Sequence, residues 1–309
     1  THLNKVKILN LNKQWPSKKY SEIFDLGWER LTLSERDKEY SPSSAIGGNY
    51  EPFIKRYLSE SALARSKVNS KRYKYGNKEN QILEISCSNS SHSKKAAVPI
   101  LVFFHGGYWQ ELSIQESFFP ALSLAENGIV FAAVEYTLAP HASIDEIVLE
   151  CREALNWLAL NDQDLGIDKD KIILAGSSAG AHLAAMCSLS NSKSKIKPFG
   201  AILVSGIYEI EPLIGTSIDK KLSLNPDQAV RNSPMLSNLK NFPSTIVAWG
   251  ENETDQFKRQ SKFFANKLID ENVCVRSVEI KNKNHFDIIL DLANFDEPLG
   301  KELKELLSV

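Results

Sequence analysis

The chain has 309 residues, 42% hydrophobic and 24% charged, with 37 basic against 38 acidic side chains and a formal net charge of −1. That balance excludes a highly charged disordered chain and gives no bulk attraction to nucleic acid or an anionic membrane. The longest apolar run, "AAVPILVFF", is far short of the ~20 residues that span a bilayer, so no membrane partner is expected.

Residues 1–68 are polar and helix-leaning, and read as an N-terminal helical extension. "SEIFDLGWERLTLSERD" and "EPFIKRYLSESALARSK" carry apolar residues at helical spacing, with the loop "YSPSSAIGGNY" between them. No basic start followed by an apolar middle, as in a secretory signal, opens this stretch. From residue 70 the pattern changes. "RYKYG" and "QILEIS" predict two strands of an edge hairpin turning at "NKEN", and "SCSNSSHSKK" predicts a surface loop. The basic run "RSKVNSKRYKYGNK" alternates aromatic and charged residues, as an edge strand needs to stay soluble, and is not read as an RNA-binding strip.

Strands and helices then alternate. "PILVFF" (99–104) and "IVFAAVEY" (129–136) are continuous apolar runs, the signature of strands buried on both faces. "KIILAG", "GAILVSG" and "STIVAWG" repeat it, with helical segments near 115–127, 144–161 and 179–190. "CVRSVEI" predicts a last strand, and a C-terminal helix ends in "LGKELKELL". The expectation is a single α/β domain over 1–309, with a mostly parallel eight-stranded sheet and helices on both faces. Residues 206–242 are too long for a simple connection and are expected to form a small cap insertion.

The chemistry starts at "ILAGSSAGAHLAAM" (173–186), where a strand runs into Gly176-Ser177-Ser178-Ala179-Gly180 and then a helix. This is G-x-S-x-G in the context that makes Ser178 a nucleophile: a sharp strand-to-helix turn with small residues on either side. A serine of this kind is followed in the chain by an acid and then a histidine. Of the histidines beyond Ser178, His182 lies one turn along the same helix and reads as a packing or hydrogen-bonding residue. That leaves His285, in "KNKNHFDII" after the last strand, as the base. The acid is sought in "GENETDQF": Glu253 is chosen, with Glu251 read as a solvated charge and Asp255 as a helix N-cap. "FFHGGYW" (103–109) supplies the glycine turn expected to complete an oxyanion hole, built from Gly106, Gly107 and Ala179, with the N–H groups of Gly107 and Ala179 as donors. Each donor is typically worth roughly 3 kcal/mol in the transition state. Tyr108 and Trp109 follow directly and are candidates, with His105, for lining an aromatic substrate pocket.

Cysteines 87, 151, 187 and 274 form no C-x-x-C pair and no Cys/His cluster at metal spacing; they read as small buried side chains in a reducing, cytoplasmic compartment.

With these motifs in place, the sequence resembles the kynurenine formamidase (arylformamidase) family of α/β-hydrolases over nearly its whole length. "EYSPSSA", "LVFFHGGYWQ", "SSAGAHLAAM", "LVSGIYEIEPL", "LNPDQAVRNSP", "QFKRQSKFF" and "NHFDII" carry the resemblance. H-G-G-x-x and G-x-S-x-G are common to many esterases, whereas the Trp109 position, the cap segments and F-x-R-Q-S are more specific. The resemblance implies a nucleophile at Ser178, an acid at Glu253, a base at His285 and an oxyanion region at His105-Gly106-Gly107. It departs at one point, since the animal enzymes carry Asp where this chain has Glu253. It further implies hydrolysis of N-formyl-L-kynurenine to kynurenine and formate, in tryptophan catabolism, without metal or organic cofactor. The expected partner is a small aryl formamide or ester, with no nucleic acid and with a homodimer allowed. The alternative is a general carboxylesterase using the same residues on small aryl or alkyl esters.

Overall fold

The computed structural model describes residues 27–87, 97–190 and 194–307. The predicted loop "SCSNSSHSKK" and the start of "SEIFDLGWERLTLSERD" lie largely outside them.

The apolar runs form one eight-stranded sheet: β1 Ser70–Lys74, β2 Ile82–Ser86, β3 Val98–Phe104, β4 Val130–Val134, β5 Ile167–Ser177, β6 Gly200–Val204, β7 Ser244–Asn252 and β8 Val275–Asn284. Their order is β1-β2-β4-β3-β5-β6-β7-β8. The pairs β1/β2 and β2/β4 are antiparallel, and every pair from β4 to β8 is parallel. Side chains alternate across a strand, so Ile100, Val102 and Phe104 enter one core while Leu101 and Phe103 enter the other. β4 and β6 are buried at every position, which is why their sequences show no polar alternation. The last strand runs four residues past the predicted "CVRSVEI", to Asn284.

Helices pack on both faces: α1 Leu33–Glu39, α2 Glu51–Lys67, α3 Ala121–Glu126, α4 Ile144–Leu160, α5 Asp162–Leu165, α6 Ala179–Ser188, α7 Asp219–Leu222, α8 Pro226–Arg231, α9 Asp255–Asp270 and α10 Pro298–Leu307. α2 covers the predicted stretch residue for residue. The single helix expected near 115–127 is instead a 3-10 turn, Ile114–Glu116, followed by α3. Pro120 explains the break: it lacks an N–H and disfavours helical geometry at Phe119. "YSPSSAIGGNY" contains a short 3-10 turn, Pro42–Ile46, closed by Gly47 at φ 78°.

The basic run resolves into structure. Arg65 and Arg72 both grip the buried Glu84 carboxylate, at 2.8 and 3.1 Å, and Ser70 adds a hydrogen bond at 3.0 Å. Burial pushes the Glu84 carboxyl up, but these donors outweigh it and hold the group below its usual range.

Between β6 and β7, residues 206–242 fold into short pieces that include α7 and α8. They dock on α1: Arg36 donates to the carbonyls of Pro212 and Ile214, at 3.0 and 3.3 Å, and Ser217 N–H donates to Asp37 at 2.6 Å.

Candidate active site

The turn from β5 into α6 is set by two glycines. A Cβ on Gly176 would lie 2.3 Å from Gly180, and one on Gly180 would lie 1.9 Å from the Phe104 carbonyl oxygen of β3. Only hydrogen fits at either place, so the chain turns tightly between strand and helix. Ser178 sits at the apex with φ 57° and ψ −121°, a conformation that costs an L-residue about 1–3 kcal/mol. Its N–H is anchored to the Val204 carbonyl of β6 at 2.9 Å. Ala179 opens α6, where the first N–H groups have no partner within the helix and carry its positive end.

His285 follows β8 directly. Its Nδ1 lies 2.9 Å from Glu253 Oε2, and both side chains are almost wholly buried. Glu253 Oε1 accepts from the Ser205 hydroxyl at 2.6 Å and from Gly250 N–H at 2.5 Å, so the carboxylate is fixed before it meets the histidine. Phe257 packs edge-on against the imidazole, with centroids 4.4 Å apart. The neighbouring acids go elsewhere. Glu251 is exposed and accepts from Asn282 N–H at 2.9 Å. Asp255 is the first residue of α9 rather than its N-cap, which is Thr254, and points into solvent. Sequence reasoning missed Ser205, a polar residue closing an apolar strand that orients the acid.

β3 runs into His105-Gly106-Gly107. Gly107 has φ 94°, and a Cβ there would meet the Glu111 carbonyl oxygen at 2.3 Å. Its own carbonyl accepts from Gln110 and Glu111, which closes the turn at 2.9 and 3.0 Å. The His105 ring is buried against Tyr136, stacked at 4.2 Å, with Nε2 3.4 Å from Glu135 Oε1.

One cavity of about 320 Å³ is lined by Ser178, His285, Gly106, Gly107, His105 and Tyr108. That volume is at the small end of the ~300–1,000 Å³ usual for small-molecule sites. Tyr40, Tyr50, Ile54 and Tyr57 line it from the N-terminal segment, and Ser217 and Ile218 from the insertion between β6 and β7. No sequence signal singles out these wall residues, although Tyr40 lies within the "EYSPSSA" segment. Tyr108 donates its hydroxyl to the Tyr40 carbonyl, tying the glycine turn to that wall.

Trp109 does not join the cavity, contrary to expectation. Tyr108 and Trp109 both have positive φ, 51° and 59°, and the Trp109 ring ends wholly buried, edge-on to His182 at 4.9 Å. An apolar ring of this size is stabilised more by the core than by a wet pocket. His182 takes the hydrogen-bonding role expected of it: its Nε2 lies 2.7 Å from the Asn232 carbonyl oxygen, and burial lowers its pKa to about 4. It is therefore neutral at physiological pH.

All four cysteines are free thiols. Cys151 and Cys187 are buried as expected, whereas Cys87 is half-buried and Cys274 exposed. Among the described residues, no cluster of His, Cys, Asp or Glu could hold a metal ion, and no helix is long and apolar enough to cross a membrane.

Comparison with known proteins agrees with this fold. A family model described as alpha/beta hydrolase fold matches residues 101–288. The kynurenine formamidase of Danio rerio is 32% identical over an alignment of 297 positions that covers 91% of this chain and 98% of that protein. The kynurenine formamidase of Salmo salar is 31% identical over an alignment of 298 positions, which again covers 91% of this chain and 98% of that protein. Among solved structures, a hyperthermophilic esterase from the archaeon Pyrobaculum calidifontis superposes with a TM-score of 0.69 at 21% identity, over 84% of this chain and 92% of that one.

Proposed function

Because the chain belongs to the kynurenine formamidase family of α/β-hydrolases, we propose that it hydrolyses the formamide of N-formyl-L-kynurenine, giving kynurenine and formate, through a Ser178-His285-Glu253 triad. One observation carries the reading: Ser178, held in a strained turn, and His285, hydrogen-bonded to the buried Glu253, line the same small cavity.

His285 takes the hydroxyl proton as Ser178 Oγ bonds to the formyl carbon. Glu253 holds the imidazole with Nδ1 protonated and stabilises the imidazolium that forms, without taking the proton itself. The N–H groups of Gly107 and Ala179 face the oxyanion, with Gly106 supporting their turn. His285 then passes its proton to the aryl nitrogen, the C–N bond breaks, and kynurenine leaves formyl-Ser178 behind. Water, deprotonated by His285, attacks that ester, and formate and free Ser178 are released. Tyr108 and Tyr50, wall side chains that are not buried, offer aromatic surface for the leaving ring. The same reading treats the chain as one domain with residues 206–242 as its cap. It also places the protein in the cytoplasm, where free thiols persist.

The test compares hydrolysis of N-formyl-L-kynurenine with that of p-nitrophenyl formate, acetate and butyrate. A formamidase releases kynurenine and prefers the formyl ester. A rate rising from formate to butyrate, with no kynurenine formed, would replace the reading by a general carboxylesterase.

A further inference from the structure

Helix α2 lies before the region that the hydrolase family model matches, yet it grips the residue next to His285. The Tyr57 hydroxyl donates to the backbone carbonyl of Phe286. Tyr57 is itself buried, its ring stacked on Phe119 with centroids 5.7 Å apart, so the hydroxyl cannot swing away. Two more rings from this segment meet the Phe286 side chain: Tyr50 at 5.4 Å and 9°, and Phe53 at 5.7 Å and 21°.

The loop they hold is stiff. The Asn284 side chain accepts from the N–H groups of Phe286 and Asp287, at 2.8 and 3.2 Å, while Asp287 accepts from Asn284 N–H at 2.7 Å. Residues 284–287 therefore move as a unit, and whatever fixes Phe286 fixes His285. The imidazole is held by Glu253 and Phe257 on the sheet side and through its backbone from α2. Without the second hold, the ring could pivot about its bond to Glu253 and lose its aim at Ser178.

We propose that α2 braces the base, with Tyr57 as a positioning residue that sets the place of His285 through the Phe286 carbonyl. The proposal rests on the Ser178-His285 reading above. It differs from a packing role for the helix, which would affect stability alone.

The experiment compares Tyr57→Phe with Ala64→Gly, a buried site on the same helix that weakens it without touching the loop. For each variant and the wild type, kcat and KM are measured on p-nitrophenyl acetate and N-formyl-L-kynurenine, below the melting range of all three. The rate of covalent inactivation by a fluorophosphonate is measured alongside. Misplacing a catalytic group by about 1 Å can cost on the order of a hundredfold. Tyr57→Phe should therefore lower kcat and the inactivation rate by about ten- to a hundredfold, with KM little changed, while Ala64→Gly keeps both rates. A wild-type kcat in Tyr57→Phe overturns the proposal. So does a change confined to KM, or an equal loss in Ala64→Gly. If wild type ignores the formamide but reacts with ester and fluorophosphonate, the substrate assignment fails while the brace is still tested by the other two rates. A wild type inert to all three overturns both.

Discussion

At Gly180, a methyl carbon in place of the hydrogen would sit 1.9 Å from the Phe104 carbonyl oxygen, and the obstacle is backbone, so no side chain fits. Gly180→Ala should thus cost roughly 2–3 kcal/mol of stability, as overpacking does, seen as a lower urea midpoint, and should lower turnover by displacing Ser178. Glu253→Gln removes the charge that favours the imidazolium and leaves an amide able to select the wrong tautomer. We expect kcat on p-nitrophenyl acetate to fall by about a thousandfold or more, with Glu253→Asp retaining far more activity; near-wild-type turnover in Glu253→Gln would argue against the triad. At this scale the sequence is most legible where sterics or chain order leave one solution. The glycines around Ser178 are such a case, and so is a histidine placed after the last strand. The candidate acid has neighbours of similar chemistry, and only burial and hydrogen bonding separate Glu253 from Glu251 and Asp255. Trp109 is illegible because adjacent aromatics at positive φ diverge, and nothing in the string "YW" says which one turns inward.

Among the elements, α1 and α4 begin with the same device and serve different ends. Thr32 and Glu35 form a reciprocal capping box on α1, as Ser143 and Glu146 do on α4. Replacing either cap by Ala should cost ~1 kcal/mol. In α4 that loss should appear as a slightly lower Tm with KM unchanged, since the helix packs away from the cavity. In α1 it should also raise KM, because α1 carries Tyr40 to the cavity wall and docks on the segment that supplies Ser217 and Ile218. Equal KM values in Thr32→Ala and Ser143→Ala would contradict this division. Helices with a strong apolar face or a clear cap are legible in the sequence, α4 and α10 among them. The split near Pro120 and the 3-10 turn after Ser41 depend on local backbone geometry that periodicity does not register. The packing of α2 on Phe286 is tertiary, and its residues look like any amphipathic helix until the chain is folded.

Across the whole molecule, the alternation of strands and helices fixes the architecture, whereas the cavity wall depends on segments distant in the chain that meet only after folding. Where the N-terminal segment approaches the insertion, Glu209 is buried near Glu211 and Glu29, and its pKa is raised to about 8, by burial first and then by these like charges. Its ordinary value is 4.5, so the native state binds a proton more tightly than the unfolded chain between pH 4.5 and 8. Stability from this group is therefore greatest at the acid end of that window and falls as pH rises, by up to ~1.4 kcal/mol per pH unit. Glu209→Gln should remove the penalty: its urea midpoint should exceed that of wild type near pH ~8.5, and the gap should shrink toward pH ~5. A gap that is constant with pH would show that Glu209 ionises normally. The central claim, that a serine at position 178 cleaves an aryl formamide, is tested most directly by the rate of kynurenine release from N-formyl-L-kynurenine by the wild type and by Ser178→Ala. The account predicts steady release by wild type and a loss of at least about a thousandfold in the variant; release undiminished in Ser178→Ala, or none from the wild type, would contradict it.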